Sequence, residues 1–151
     1  MKQFVLDASI ALTWCFPDED AADAQHALTL LRQDPESEAV PPFFWPVEVL
    51  NGLLMAERRK RITQEITVAF LRDLEKLRVQ LDPGITVNPF VPAVVLARQY
   101  SLTAYDATYL ELAVRLAVPL ATLDKELLKA ARAAGVPIVT EALNENRTVG
   151  R

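Results

Sequence analysis

Four acidic residues of this 151-residue chain stand where they could do chemistry together: Asp7, Glu48, Asp106 and Asp124. Carboxylates packed together repel one another and raise one another's pKa, so such a cluster is tenable chiefly when cations neutralise it. The chain has one histidine and one cysteine, and oxygen ligands alone favour Mg²⁺, or Mn²⁺ as a substitute, over zinc. Such ions can position and deprotonate a water for attack on a phosphodiester, and no covalent nucleophile is required.

The predicted strands and helices indicate how these acids could meet. Four short apolar runs are predicted as strands: 4–6, 38–40, 120–123 and 137–140. They alternate with helices, which predicts an α/β fold whose mainly parallel sheet is covered on both faces. Ligands of such sheets bind beyond the carboxyl ends of the strands. Asp7 and Asp124 end strands, and Glu48 and Asp106 lie in helical first turns, so we expect all four at that edge.

Apolar spacing and capping residues predict the helices. They are expected over 8–15, 21–32, 46–59, a segment that follows Thr63, 91–100, 104–116 and 125–134. Thr63 and Thr103 are the expected N-caps of their helices. The helix after Thr63 is expected to bury a stripe that consists of Ile66, Ala69, Phe70, Leu74 and Leu77. The segment 79–88 is predicted to be a short strand or a connection.

Composition predicts one globular domain over 1–141 and a polar tail over 142–151. The net charge of −4 argues against a nucleic-acid partner at first, but setting the four acids aside leaves 16 acidic residues against 16 basic ones. Cys15 is the one cysteine, and no apolar run suggests a signal peptide or a membrane span. We therefore expect a cytoplasmic protein without an internal disulfide or a membrane partner.

Four motifs carry a resemblance to a known family. They are VLDAS at 5–9, PVEVLN at 46–51, YDATYL at 105–110 and LATLDK at 120–125. In order and context they resemble the PIN-domain family, and most closely its VapC-type toxin ribonucleases. The resemblance extends over about residues 3–140.

This resemblance implies a three-layer α/β/α sandwich and a Mg²⁺-dependent endoribonuclease. It also implies a homodimer that a cognate VapB-like antitoxin inhibits. The acidic positions of the family fall on Asp7, Glu48, Asp106 and Asp124. We expect the three aspartates to hold the metal, while Glu48 orients a metal-bound water or completes a second site.

Three further residues are expected to support the site. Ser9 and Thr122 match hydroxyl positions of the family and would orient a metal ligand. Asn51 lies one helical turn after Glu48, where it could steer the scissile phosphate or a carboxylate.

Simpler interpretations stay open for single residues. Each acid alone could end a strand or favour a helix N-terminus. The run 58–61 (RRKR) is expected to be a solvated helix end, and an RNA-steering surface is the less favoured alternative. The acids at 18–20 are expected to favour the start of a helix, and a contribution to the metal site is the less favoured alternative. The aromatic residues Phe43, Phe44 and Trp45 are expected in the core or an interface rather than as base-stacking platforms.

Three other functions are alternatives. A haloacid-dehalogenase-like phosphohydrolase would use Asp7 as nucleophile, but it expects a second acid at position 9, where Ser9 stands. A catalytically silent metal-binding or receiver-like module is possible, although Asp7 has no adjacent early acid. The third is a PIN-like nuclease that processes RNA without being a toxin.

Overall fold

The computed structural model describes residues 2–16, 18–19, 21–84 and 90–140, which form three strands and seven helices. The strands are β1 (Lys2–Leu6), β2 (Ser37–Ala39) and β3 (Leu120–Ala121). The helices are α1 (Ala8–Cys15), α2 (Ala22–Gln33), α3 (Trp45–Arg58), α4 (Gln64–Glu75), α5 (Phe90–Tyr100), α6 (Ala104–Leu116) and α7 (Lys125–Ala133). The predicted tail over 142–151 and part of the predicted connection, 85–88, lie outside these described residues.

The sheet is parallel, with β1 between β2 and β3. Phe4 pairs with Ala39, and Val5 pairs with Leu120. Isolated parallel bridges extend it on both sides, from β2 to Val79 and from β3 to residue 138. The apolar run at the centre of β1 is buried, as expected of a central parallel strand covered on both faces.

The helices pack around this sheet in two groups. In the first group α1 contacts α2, α3 and α4, while α2 also packs on β2 and β3. In the second group α6 contacts α5, α7 and β1. The fully buried side chains of Val5, Leu6, Ile10, Leu53 and Leu110 belong to one core between them. The predicted α/β class with a parallel sheet is therefore confirmed.

Two predicted strands are shorter in the structure. The strand predicted over 120–123 ends at Ala121, because the chain then turns so that Asp124 can cap α7. The strand predicted over 137–140 is reduced to a single bridge at Ile138, and positions 139–140 are helical. Pro137 has no N–H to donate to a ladder, and its carbonyl accepts the one hydrogen bond from Leu120 N–H (2.9 Å).

Helix α4 is less buried than its apolar stripe predicts. Ile66 is 44% exposed and Ala69 is also exposed, whereas Thr67 is the residue of this helix that is buried. Phe70 and Leu74 are half-buried. The stripe is only partly covered because α4 packs at the margin, mainly on α1.

None of the helices in the described part of the chain is long and apolar enough to cross a membrane.

Candidate metal centre

Asp7 directly follows β1 and occupies the N-cap position of α1. Its side chain is buried, and its Oδ2 accepts hydrogen bonds from the hydroxyls of Ser9 (2.7 Å) and Thr122 (2.6 Å). Burial raises the pKa of Asp7 above its ordinary value, the hydroxyl donors oppose this rise, and the charge of Asp124 adds to it. Ionisation of this carboxyl group is therefore less favourable than in water, and a bound cation would offset that cost.

The same two hydroxyls connect the ends of β1 and β3. Ser9 Oγ accepts the backbone N–H of Leu123 (3.1 Å), and Thr122 Oγ1 accepts that of Asp124 (3.1 Å). Asp124 in turn caps α7, because its Oδ1 accepts the N–H of Leu127 (2.8 Å). Asp7 and Asp124 are thus fixed relative to each other through neutral donors.

Glu48 and Asp106 reach this edge from the first turns of α3 and α6. Pro46 suits the start of α3, and Thr103 caps α6 by accepting the N–H of Asp106 (3.2 Å). Burial raises the pKa of Glu48, and the charges of Asp7 and Asp106 raise it further. Burial, with the charges of Asp124 and Asp7, raises the pKa of Asp106 to about 6. Each of the four acids therefore lies within range of the charge of at least two of the others.

Tyr109 is a member of this site that the sequence did not reveal. It lies one turn after Asp106 on α6 and is fully buried. Its hydroxyl donates to Glu48 Oε1 (2.6 Å) and accepts the backbone N–H of Ala8 (3.3 Å). Burial raises the pKa of Tyr109, and the charges of Asp7 and Glu48 raise it further, so the hydroxyl stays protonated and remains a donor. The hydroxyl of a buried tyrosine needs hydrogen-bond partners, and this need was the one feature of the sequence that could have pointed to Tyr109.

The donor set fits a hard divalent cation in its chemistry. No basic side chain appears among the groups that shift the pKa of Asp7, Glu48 or Asp106, so their charge is not compensated within the described residues. However, within the residues described, no three acidic, histidine or cysteine side chains are close enough to form a ligand set. Two carboxylate oxygens already have hydrogen-bond donors, because Tyr109 donates to one oxygen of Glu48 and the N–H of Leu127 donates to one oxygen of Asp124.

Other predicted site residues lie apart from this network. Asn51 is exposed on α3, and its side chain makes no hydrogen bond to the residues that the structure describes. The basic run 58–61 is exposed at the far end of α3, and Arg61 binds Asp18 (3.1 Å) and Glu19 (3.2 Å). Those two acids thus bind a cationic side chain, and position 20 lies outside the described residues.

Comparison with known proteins identifies a family and a fold. The model of the family described as PIN domain matches residues 4–133. Solved structures that resemble the chain include the crystal structure of PAE2754 from Pyrobaculum aerophilum, with a TM-score of 0.66 and 22% sequence identity. That alignment covers 95% of this chain and 88% of the other. No curated protein sequence matches the chain significantly.

Proposed function

The chain belongs to the PIN domain family, and from this membership we propose that it is an endoribonuclease that depends on Mg²⁺ or Mn²⁺. PIN domains are generally nucleases that act on RNA or other nucleic acid and typically require a divalent metal. Our proposal is more specific: the substrate is RNA, the cleavage is internal, and the metal is Mg²⁺ or Mn²⁺.

The main support is the electrostatics of the cluster: burial and the charges of neighbouring acids raise the pKa of Asp7, Glu48 and Asp106, and no basic side chain opposes this rise. A structural salt-bridge network would pair acids with bases, whereas Asp7 is bound by neutral hydroxyls. An uncompensated acidic cluster at the carboxyl edge of a parallel sheet is expected of a cation site.

The roles that we propose follow from the contacts. Asp7, Asp106 and Asp124 would hold the ion, with Ser9 and Thr122 orienting Asp7. Bound ions supply positive charge that lowers the pKa of a water and offsets the charge that develops on the phosphate. Glu48 Oε1 is held by Tyr109, which leaves Oε2 without a hydrogen-bond partner among the described residues. That oxygen can accept the proton of the attacking water.

RNA cleavage tests this proposal. Purified protein is incubated with a mixed pool of cellular RNA in Mg²⁺ or Mn²⁺, and EDTA and Asp7→Asn serve as negative controls. The matched control is Asp73→Asn, which removes an exposed acid of α4 that binds Lys76. We expect cleavage that EDTA and Asp7→Asn abolish and that Asp73→Asn retains. Cleavage that persists in EDTA, or that is equal in Asp7→Asn, would contradict the proposal.

We further propose that the enzyme is the toxin of a VapBC-type pair, a homodimer inhibited by a VapB-like antitoxin. The four motifs and their order support this assignment. Induced expression should then arrest bacterial growth, and Asp7→Asn should relieve the arrest. Unimpaired growth together with cleavage in vitro would instead favour an RNA-processing nuclease.

A further inference from the structure

Four aromatic side chains form a connected cluster beside the carboxylates. Phe44 is at its centre and contacts three rings edge to face: Phe43 at 5.4 Å between ring centroids, Tyr105 at 5.3 Å and Tyr109 at 5.6 Å. Phe43 and Phe44 precede α3, and the two tyrosines lie on α6. The cluster therefore connects the two helices that carry Glu48 and Asp106.

The outer rings of this cluster are open to solvent. Phe43 and Tyr105 are each 59% exposed, and they are the only exposed aromatic side chains among those that the structure describes. Phe44 is half-buried and Tyr109 is fully buried. Isolated exposed apolar residues are ordinary, but two exposed rings joined through one half-buried ring form a continuous aromatic surface.

This aromatic surface is fixed in place. Tyr105 is held on the first turn of α6, directly before Asp106. Phe43 packs against the backbone at Gly84, where a Cβ would lie 3.2 Å from Phe43 Cδ1. Contacts with Phe44 and, for Phe43, with Gly84 restrict the two rings, and such restriction lowers the entropy lost when a flat ligand binds.

The surface is also continuous with the carboxylate cluster. Phe44 packs on Tyr109, and the Tyr109 hydroxyl lies 2.6 Å from Glu48 Oε1. The hydroxyl of Tyr105 has no partner among the described residues. A phosphodiester held by the acids would thus place the neighbouring nucleotides next to two exposed rings.

We propose that Phe43 and Tyr105 form a stacking surface for unpaired bases of RNA beside the carboxylate cluster. The proposal rests on the proposed function and narrows its substrate to single-stranded segments. Unpaired bases expose their faces and stack on aromatic side chains whatever their sequence, whereas the bases of a duplex are already stacked on one another. The sequence had indicated a core or interface role for Phe43; its exposure contradicts the core role, and the interface role stays a prediction.

Equilibrium binding tests the stacking surface. The probe is a labelled single-stranded RNA of about 12 nucleotides, of random sequence, with the same RNA annealed to its complement as the second arm. All proteins carry Asp7→Asn so that the probe stays intact. Phe43→Leu and Tyr105→Leu remove each ring and keep an apolar side chain. Phe43→Tyr and Tyr105→Phe keep the ring, and Val68→Ala alters an exposed apolar residue on α4 as the matched control.

We expect each leucine variant to weaken binding of single-stranded RNA by about 5-fold to 100-fold, the range that loss of a stacking side chain produces. The variants that keep the ring and the α4 control should stay within about 3-fold of the parent, and the duplex should bind weakly to all. Equal binding of single-stranded RNA by the leucine variants and the parent would overturn the proposal and leave the surface to a protein partner. Preferential binding of duplex would also overturn it.

The nuclease proposal and the stacking-surface proposal can be rejected independently of each other. Ring-dependent RNA binding without cleavage by the protein with Asp7 intact would retain the stacking surface and reject the enzyme. Metal-dependent cleavage with ring-independent binding would retain the enzyme and reject the surface.

Discussion

At the scale of one residue, the burial of Asp7 lowers the stability of the metal-free fold at a position that the proposed function requires. The residue is 6% exposed, and the side-chain partners of its carboxylate are two neutral hydroxyls. Burying a charge without a charged partner is unfavourable, which is the reason for its raised pKa. The metal-free protein is therefore destabilised at the position on which the proposed chemistry depends most.

Asp7→Asn should stabilise the metal-free protein. The amide keeps an oxygen for the hydroxyls of Ser9 and Thr122 but removes the buried charge. We expect the melting temperature in EDTA at pH 7 to rise by about 2–4 °C, equivalent to about 1 kcal/mol. Thermal unfolding measures this, with Asp73→Asn as a surface control. A lower melting temperature for Asp7→Asn would show that its charge is already compensated.

The hydrogen bond between Tyr109 and Glu48 should be measurable as a coupling energy. Its acceptor is a carboxylate and its donor is fully buried, so we expect about 1.5–3 kcal/mol. A double-mutant cycle with Tyr109→Phe and Glu48→Ala, followed by denaturant unfolding, gives this coupling. Additive effects of the two substitutions would mean that the hydroxyl does not hold Glu48.

A site residue could be predicted only where its type and position in the sequence indicate its role. The four acids could be grouped because each stands at the end of a strand or in a helical first turn. Tyr109 could not, because its position on α6 matches an ordinary core residue and its function depends on where its hydroxyl points. Phe43 packs at Gly84, forty-one residues further along the chain, and the sequence does not show how much of the ring such a contact leaves exposed.

At the scale of elements, helix caps position the acids. Thr103 accepts the N–H of Asp106 at 3.2 Å, and Thr63 accepts the N–H of Ile66 at 3.3 Å. The two caps are alike in geometry, but only α6 carries a carboxylate of the cluster. They therefore provide a matched pair for separating stability from positioning.

Thr103→Ala and Thr63→Ala should each lower the free energy of unfolding by about 1 kcal/mol. Only Thr103→Ala should also reduce RNA cleavage, because it frees the first turn that holds Asp106. Denaturant unfolding and cleavage rates are measured on both variants. Equal cleavage rates would indicate that α6 holds Asp106 without its cap.

Element types could be predicted more reliably than element ends or environments. Both capping threonines were identified, because a hydroxyl before an apolar stripe is a local signal. The burial of α4 was overestimated because the sequence does not show how far a neighbouring helix extends. The strand predicted over 137–140 failed at Pro137, whose missing N–H leaves one bridge.

For the whole molecule, the raised pKa values determine how stability depends on pH. The folded metal-free protein keeps the proton of Asp106 up to about pH 6, whereas the unfolded chain loses it near its ordinary value of 3.8. The folded state therefore binds more protons between these values, and stability falls as pH rises through them. Burial of Asp7 and Glu48 acts in the same direction.

We expect the melting temperature in EDTA to decrease between about pH 5 and pH 7, and the decrease to be smaller in Asp106→Asn. Thermal unfolding across this range measures it. A melting temperature that rises steadily over the same interval would mean that carboxylates with lowered pKa dominate the molecule.

Direct titration with Mn²⁺ tests whether the four carboxylates form one site for divalent cations, and it needs no knowledge of the RNA target. Calorimetry is applied to the metal-free protein, to Asp7→Asn, to Asp106→Asn and to the α4 control Asp73→Asn. We predict saturable binding that each site variant weakens by at least about 10-fold and that the control retains. Absence of Mn²⁺ binding, or equal binding by all four proteins, would contradict the proposal that the carboxylates form one metal site.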